Sequence, residues 1–170
     1  MSVKDKIKKC LKEGEQGERH KGLKKVLPDE VKVNEHLDKA IHNFKAIDIF
    51  RQQGFSDWSV SAGFYSLYHL LLAILSKKGY ESRNQSCTFA LIEEMIEKGE
   101  LAIIKEDLRQ IFNNEVIADL EHSSKILDLR ERYQYSTKTR MEDKEFNMLK
   151  DKIKHLFDKL RNQLENIKTD

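Results

Sequence analysis

Apolar residues recur along most of this chain at intervals of three and four, the period of an amphipathic helix rather than the alternation of a strand. The stripe is cleanest near the C-terminus, at Phe146, Leu149, Ile153, Leu156, Leu160 and Leu164. A second stripe, Val33, Leu37, Ala40, Ile41, Phe44 and Ile47, predicts a helix over about 31–53. Pro28-Asp29 gives its entry signal, and Gly54 a left-handed stop. From Trp58 to Leu75 apolar residues fall on nearly every side, broken only by Ser59, Ser61, Gly63, Ser66 and His69. That pattern marks the innermost helix of a bundle. Ser56-Asp57 offers N-capping side chains, and Lys77-Lys78-Gly79 a C-terminal cap with cations at the negative end of the helix dipole. The length of this segment and its small polar residues fall short of a membrane span, which needs about 20 mostly apolar residues.

A fourth helix is predicted over 86–98, with Phe89, Ile92, Met95 and Ile96 inward and Gly99 at its end. A fifth is read over 101–129 from Leu108, Ile111, Phe112, Val116 and Ile126, with a bend near Asn113-Asn114. At the N-terminus, Val3, Ile7, Cys10 and Leu11 lie at helical spacing and are followed by Gly14 and the polar run 15–19. This reads as a short, mobile helix and then a linker. One proline and seven glycines leave little punctuation for an all-β fold. The expectation is an all-α protein, an up-and-down bundle of about five helices with an additional N-terminal amphipathic helix. Residues 1–28 form the basic N-terminal helix and linker, and residues 29–170 the bundle.

Composition, 39% apolar and 35% charged over 170 residues, suits one sizeable core with solvated helix faces. Net charge is only +2, but residues 1–25 carry nine Lys or Arg against four Asp or Glu. Such an arm attracts phosphates or an acidic partner, and a solvated lysine face is the plainer reading. Cys10 and Cys87 form no short-spaced ligand motif and are read as free thiols. With no apolar run and cleavage site at the start, a cytoplasmic protein with no membrane association is expected.

Catalytic motifs are sparse. There is no Gly-x-Ser-x-Gly, no Gly-rich phosphate loop and no Cys/His signature. Asp119 and His122 stand three apart, as in a carboxylate-bridged di-iron bundle, but no second such pair accompanies them, so no metal or other cofactor is expected. Glu93, Glu94 and Glu97 read as a solvated face, and His69, one turn after Tyr65, as a core histidine hydrogen-bonded to a phenol or carbonyl. The segment from Leu127 to Arg140 is different. Arg130, Arg132, Lys138 and Arg140 meet only Glu131 within the span from Arg130, with Tyr133 and Tyr135 interleaved. Guanidinium forks grip phosphates and tyrosine faces stack on unpaired bases, so these six residues compose a candidate site for single-stranded RNA. The alternative is a loop whose arginines cap the preceding helix and pair with Glu142, Asp143 and Glu145. Both readings stay open at this stage.

The layout resembles the HEPN superfamily of small helical-bundle proteins. The resemblance rests on Ser61-Ala62-Gly63-Phe64-Tyr65-Ser66-Leu67-Tyr68-His69, on Lys77-Lys78-Gly79, and on Leu129-Arg130-Glu131-Arg132-Tyr133-Gln134-Tyr135, and covers about residues 30–165. It implies a homodimer, a bundle fold, and an RNA-directed role in which active members are metal-independent endoribonucleases with an arginine followed after four to six residues by a histidine. Here Arg130 or Arg132 would be that arginine. The histidine positions hold Tyr135, Ser136 and Thr137 counted from Arg130, or Thr137, Lys138 and Thr139 counted from Arg132. A free phenol, with a pKa of about 10, is a poor base at neutral pH. The resemblance therefore implies an RNA-interacting module of a toxin–antitoxin or defence-type system that binds rather than cuts, with an antitoxin or nucleotidyltransferase as possible partner. An atypical endoribonuclease using Arg130, Arg132 and Tyr135, and a protein-interaction adaptor, are the alternatives. Arg130 and Arg132 are expected to face a shared cleft.

Overall fold

A computed structural model describes residues 1–112 and 125–167. Asp119, His122 and the bend near Asn113-Asn114 lie outside the described residues. The described elements are helix α1 (Val3–Gly14), strand β1 (Leu23–Lys25), helices α2 (Glu30–Gln52) and α3 (Ser56–Lys77), strand β2 (Tyr80–Ser82), and helices α4 (Gln85–Glu97), α5 (Lys105–Ile111), α6 (Ile126–Tyr135) and α7 (Asp143–Asn166). The fold is an all-α bundle with one small two-stranded sheet.

Helix α3 is the innermost element and packs against α2, α6 and α7. By length and hydropathy it would pass as a membrane span, which corrects the expectation that it falls short; most of its apolar window is instead covered by the other helices. Its small polar residues are satisfied locally. Ser59 Oγ donates to the Ile47 carbonyl at 2.7 Å, Ser66 Oγ to the Gly63 carbonyl at 2.7 Å, and Tyr68 Oη and Thr88 Oγ1 share a hydrogen bond at 3.1 Å. Such pairing removes the desolvation cost a buried hydroxyl would otherwise carry. Gly63 lets α7 come close: a Cβ built there would lie 2.1 Å from Ile153 Cδ1. The α7 stripe is buried throughout, with Phe157 added to it.

Helix α2 begins as the sequence predicts, with Asp29 Oδ1 accepting from the Val31 and Lys32 amides at 2.9 and 3.1 Å. Helix α3 does not. It starts at Ser56 itself, and the Ser56 hydroxyl accepts the Met141 amide at 2.8 Å instead of capping its own helix. The expected fifth helix over 101–129 is not continuous. Residues 105–111 form α5, whereas Ile126–Leu129 open α6, which continues to Tyr135. Much of the basic segment read as a junction is therefore helical.

The N-terminal helix is docked. Ile7, Cys10 and Gly14 of α1 are buried, and β1 pairs antiparallel with β2 in the register Leu23↔Ser82, Lys24↔Glu81 and Lys25↔Tyr80. Backbone contact is close enough that a Cβ on Gly14 would meet the Leu23 carbonyl oxygen at 1.7 Å. Cys10 and Cys87 are joined by a disulfide, with Cα atoms 5.8 Å apart. The expectation of free thiols fails because α1 packs along α4, which brings together two cysteines 77 residues apart.

Candidate functional site

The candidate residues divide by where α6 puts them. Residues two apart on a helix point to different sides, and Arg130 and Arg132 do so. The Arg130 guanidinium lies over the rings of Phe64 and Tyr65 in α3, 5.0 and 5.3 Å from their centroids, while its Nε donates to Gln134 Oε1 at 3.3 Å. Its Nη1 is buried without a hydrogen-bond partner. Arg132 turns toward α7, where it forms an ion pair with Glu145. Tyr133 is buried and its hydroxyl donates to the other Glu145 oxygen at 2.5 Å. Burial first, and the Glu145 carboxylate second, push the Tyr133 pKa up to about 12. At neutral pH Tyr133 is a proton donor and no base.

Tyr135 ends α6 at 81% exposure, and Lys138 and Arg140 stand exposed on the loop between α6 and α7. That loop is fixed at its far end, because the Met141 amide is the donor held by Ser56 and the Met141 side chain is buried. A Cβ built on Gly54 would have the Arg140 Nη2 as its neighbour at 3.6 Å. The result is a cleft of about 250 Å³ between the first turns of α3 and the α6–α7 loop. Its walls are Trp58 and Ser61 on one side, Tyr133 and Lys138 on the other, with Asp57 beside them and the hydroxyls of Ser136, Thr137 and Thr139 along the loop. Among the six expected residues, Tyr133 and Lys138 line this cleft.

Three contributors escaped the sequence. Trp58, read as the start of a buried helix, is 56% exposed. Helix α3 is covered less at its first turn than at its middle, and the polar triplet Ser56-Asp57-Ser59 around Trp58 was the available signal. Asp57 Oδ1 is buried without a donor. Glu145 was named as a pairing option for the loop arginines, but its hold on both Arg132 and Tyr133 depends on the first turn of α7 reaching back to α6.

Other chemistry is accounted for elsewhere. A larger cavity, about 450 Å³, lies near the opposite end of α3, but its charged groups pair with one another, Lys32 with Glu35 at 2.6 Å and Arg83 with Glu81 at 2.7 Å. His69 meets His36 Nδ1 to Nδ1 at 3.1 Å, rather than the phenol or carbonyl expected. Burial, then the charges of His36 and Lys39, bring the His69 pKa down to about 4, so the pair is neutral at pH 7. Glu93 and Glu97 pair with Lys105, and Glu94 with Lys98. Among the described residues no group of three or more His, Cys, Asp or Glu side chains could hold a metal ion.

The resemblance implies a bundle built on one central helix, which the structure has; the expectation that Arg130 and Arg132 face one shared cleft fails, because Arg130 lies on α3 and Arg132 turns to Glu145. The sequence model of the HEPN domain matches residues 33–162. The chain belongs to the HEPN domain family. A comparison with curated proteins finds no match. Membership of the HEPN family points to an RNA-related or nuclease-like module. The matched segment takes in the cleft, Arg130, Arg132 and Glu145, and leaves α1 and β1 outside it.

Proposed function

We propose that this HEPN protein binds single-stranded RNA at the cleft between α3 and the α6–α7 loop, and that it binds without cutting by the family's arginine–histidine chemistry. The observation that carries the reading is the composition of the cleft, whose lining combines the exposed Trp58 with Lys138 and the hydroxyls of Ser61, Ser136, Thr137 and Thr139. An unpaired base stacks on an aromatic face while a cation tracks its phosphate. Tyr135 and Arg140, exposed at the two ends of the same segment, would extend the track. Arg132 and Tyr133 shape the wall through Glu145 rather than touching the strand. No histidine is among the residues lining the cleft, and none follows Arg130 or Arg132 at the family spacing.

Trp58 is the chain's one tryptophan, so its fluorescence reports this site alone. Titration with a short RNA is expected to quench it saturably, with Trp58→Leu and Lys138→Gln weakening binding measured by anisotropy. RNA that binds with no change in Trp58 emission would refute the site, and absence of RNA binding would leave the adaptor reading. Cleavage is the second reading, favoured by one observation: the Arg130 guanidinium, laid over Phe64 and Tyr65, forms no ion pair among the described residues. Incubating RNA with the protein and a chelator separates the two, since intact RNA is the expected outcome. In this proposal the protein acts as a homodimer in a toxin–antitoxin or defence-type system of the cytoplasm, with a neighbouring antitoxin or nucleotidyltransferase as partner. Light scattering tests the dimer, and a monomeric mass at tens of micromolar would count against it.

A further inference from the structure

Lys4, Lys8 and Lys12 recur every four residues along α1 and all three are exposed. Four residues of α-helix rise about 6 Å, so they form a straight row of evenly spaced ammonium groups. Lys21, Lys24 and Lys25, exposed on the segment that follows and on β1, add to the same N-terminal unit. Among the described residues none of these six forms an ion pair, although Lys9 does so with Glu13 at 3.9 Å and Asp5 lies within electrostatic reach of Lys8. Four cations of α7 behave otherwise: Lys150, Lys154, Lys159 and Arg161 each hold a carboxylate. The N-terminal unit thus keeps an excess of positive charge, nine cations against four carboxylates over residues 1–25, with the lysine row outside its ion pairs.

A basic amphipathic helix usually reads as a membrane-surface element, which works by burying its apolar face among lipids. That face of α1 is not free. Ile7, Cys10 and Gly14 are buried in the core, Val3 and Leu11 pack against it, and the disulfide to Cys87 fixes the helix there. A protein partner would call for an apolar or aromatic anchor at the centre of the contact, and lysine is depleted at such centres. The lysine row carries no such anchor. What remains is a chain of phosphates, met by ammonium groups with no base-stacking surface beside them.

We propose that the disulfide-fixed lysine row of α1 is a second nucleic-acid surface, one that holds the phosphate backbone of an RNA strand without reading its sequence. The choice of RNA rests on the reading given under Proposed function, but the surface uses none of the cleft residues and lies outside the segment common to the HEPN family. The cleft would select the strand, and the row would lengthen its footprint.

The test is a triple variant, Lys4→Gln with Lys8→Gln and Lys12→Gln, in the oxidised full chain, titrated with labelled single-stranded RNAs of unrelated sequence from 50 to 300 mM salt. Each phosphate contact on a single strand contributes about 0.7 to the slope of log affinity against log salt, so loss of three flattens the slope by about 2. The same flattening is expected for every sequence, with thermal stability unchanged and Trp58 quenching retained at saturation. An unchanged slope in the triple variant, with Trp58→Leu still weakening binding, would overturn the lysine row and leave the cleft standing. A flattened slope with no Trp58 quenching in the parent would support the row and refute the cleft. Absence of RNA binding at 50 mM salt, or binding of the parent to phosphatidylserine vesicles instead, would overturn the row.

Discussion

Removing the disulfide between Cys10 and Cys87 should weaken the fold substantially and release α1 first. The cysteines stand 77 residues apart, and closing a loop of that length in the unfolded chain costs entropy worth about 4–5 kcal/mol at 25 °C. Both cysteines are nearly fully buried, so Cys10→Ala with Cys87→Ala avoids placing hydroxyls in an apolar site. For a chain of this size the loss corresponds to a drop of about 9–18 °C in Tm. Without the bond, α1 keeps the burial of Ile7 and Gly14, the partial cover of Val3 and Leu11 and its contact with β1. Its amides should then exchange through local opening while α3 and α7 stay protected. Denaturant unfolding of oxidised, reduced and double-variant protein, with hydrogen exchange on each, measures both effects. Equal midpoints for oxidised and reduced protein would refute the reasoning, as would two titratable thiols in the unreduced, denatured chain.

Three further outcomes are expected. Gly63→Val should destabilise by about 1–3 kcal/mol by overpacking against Ile153, and Ile153→Ala in the same chain should recover part of it, as read by urea unfolding. Glu145→Gln should bring the Tyr133 pKa down from about 12 toward the ordinary phenol value, leaving the part that burial contributes; an ultraviolet pH titration reads the shift, and an unchanged value would show that the carboxylate plays no part. The pKa of His69 is lower in the folded chain than in the unfolded one, so the neutral His36–His69 pair stabilises above about pH 6.5, and that contribution is lost as pH falls toward 4. His69→Gln should flatten the stability profile between pH 7 and 4, and an unchanged profile would show that the pair does not titrate with folding.

The sequence was most legible where one helix face alone meets the core. The stripes of α7 and α2 appear in the structure almost residue for residue, because period-3.6 patterning records burial on one side. Two segments of three residues, Leu23-Lys24-Lys25 and Tyr80-Glu81-Ser82, are too short to show alternation, so the β1–β2 pairing left no trace. The disulfide was hidden for a related reason: it depends on α1 lying along α4, a packing choice that neither cysteine's neighbours encode. Helix α6 was legible in retrospect, with Ile126, Leu129 and Tyr133 buried at helical spacing, but the density of charge around them drew the reading toward a loop. At the candidate site, the residue types were readable and their directions were not. Trp58 carried the signature of a core residue, and only the position of the α6–α7 loop, pinned by Ser56, leaves it facing a cleft.

Cation counting alone would rank Arg130 and Arg132 above every lysine in the chain, and the fold reverses that order. Arg132 is held by a carboxylate that also accepts the Tyr133 hydrogen bond, so recruiting it for a phosphate means breaking a two-partner arrangement. Truncating one member of such a cluster costs more than the contact itself, since the other members lose their partners in a partly buried setting. Arg130 is neither exposed nor paired, and lies on aromatic rings with one nitrogen unsatisfied. Lys138 and Lys4, Lys8 and Lys12 of α1, by contrast, meet an incoming phosphate without giving up an ion pair among the described residues. If RNA binding follows availability rather than charge type, alanine at Arg132 should lower stability more than affinity, and glutamine at Lys138 should do the opposite. Parallel measurement of Tm and RNA affinity for those two variants decides it, and a larger affinity loss at Arg132 with its stability intact would return the arginines to the centre of the site.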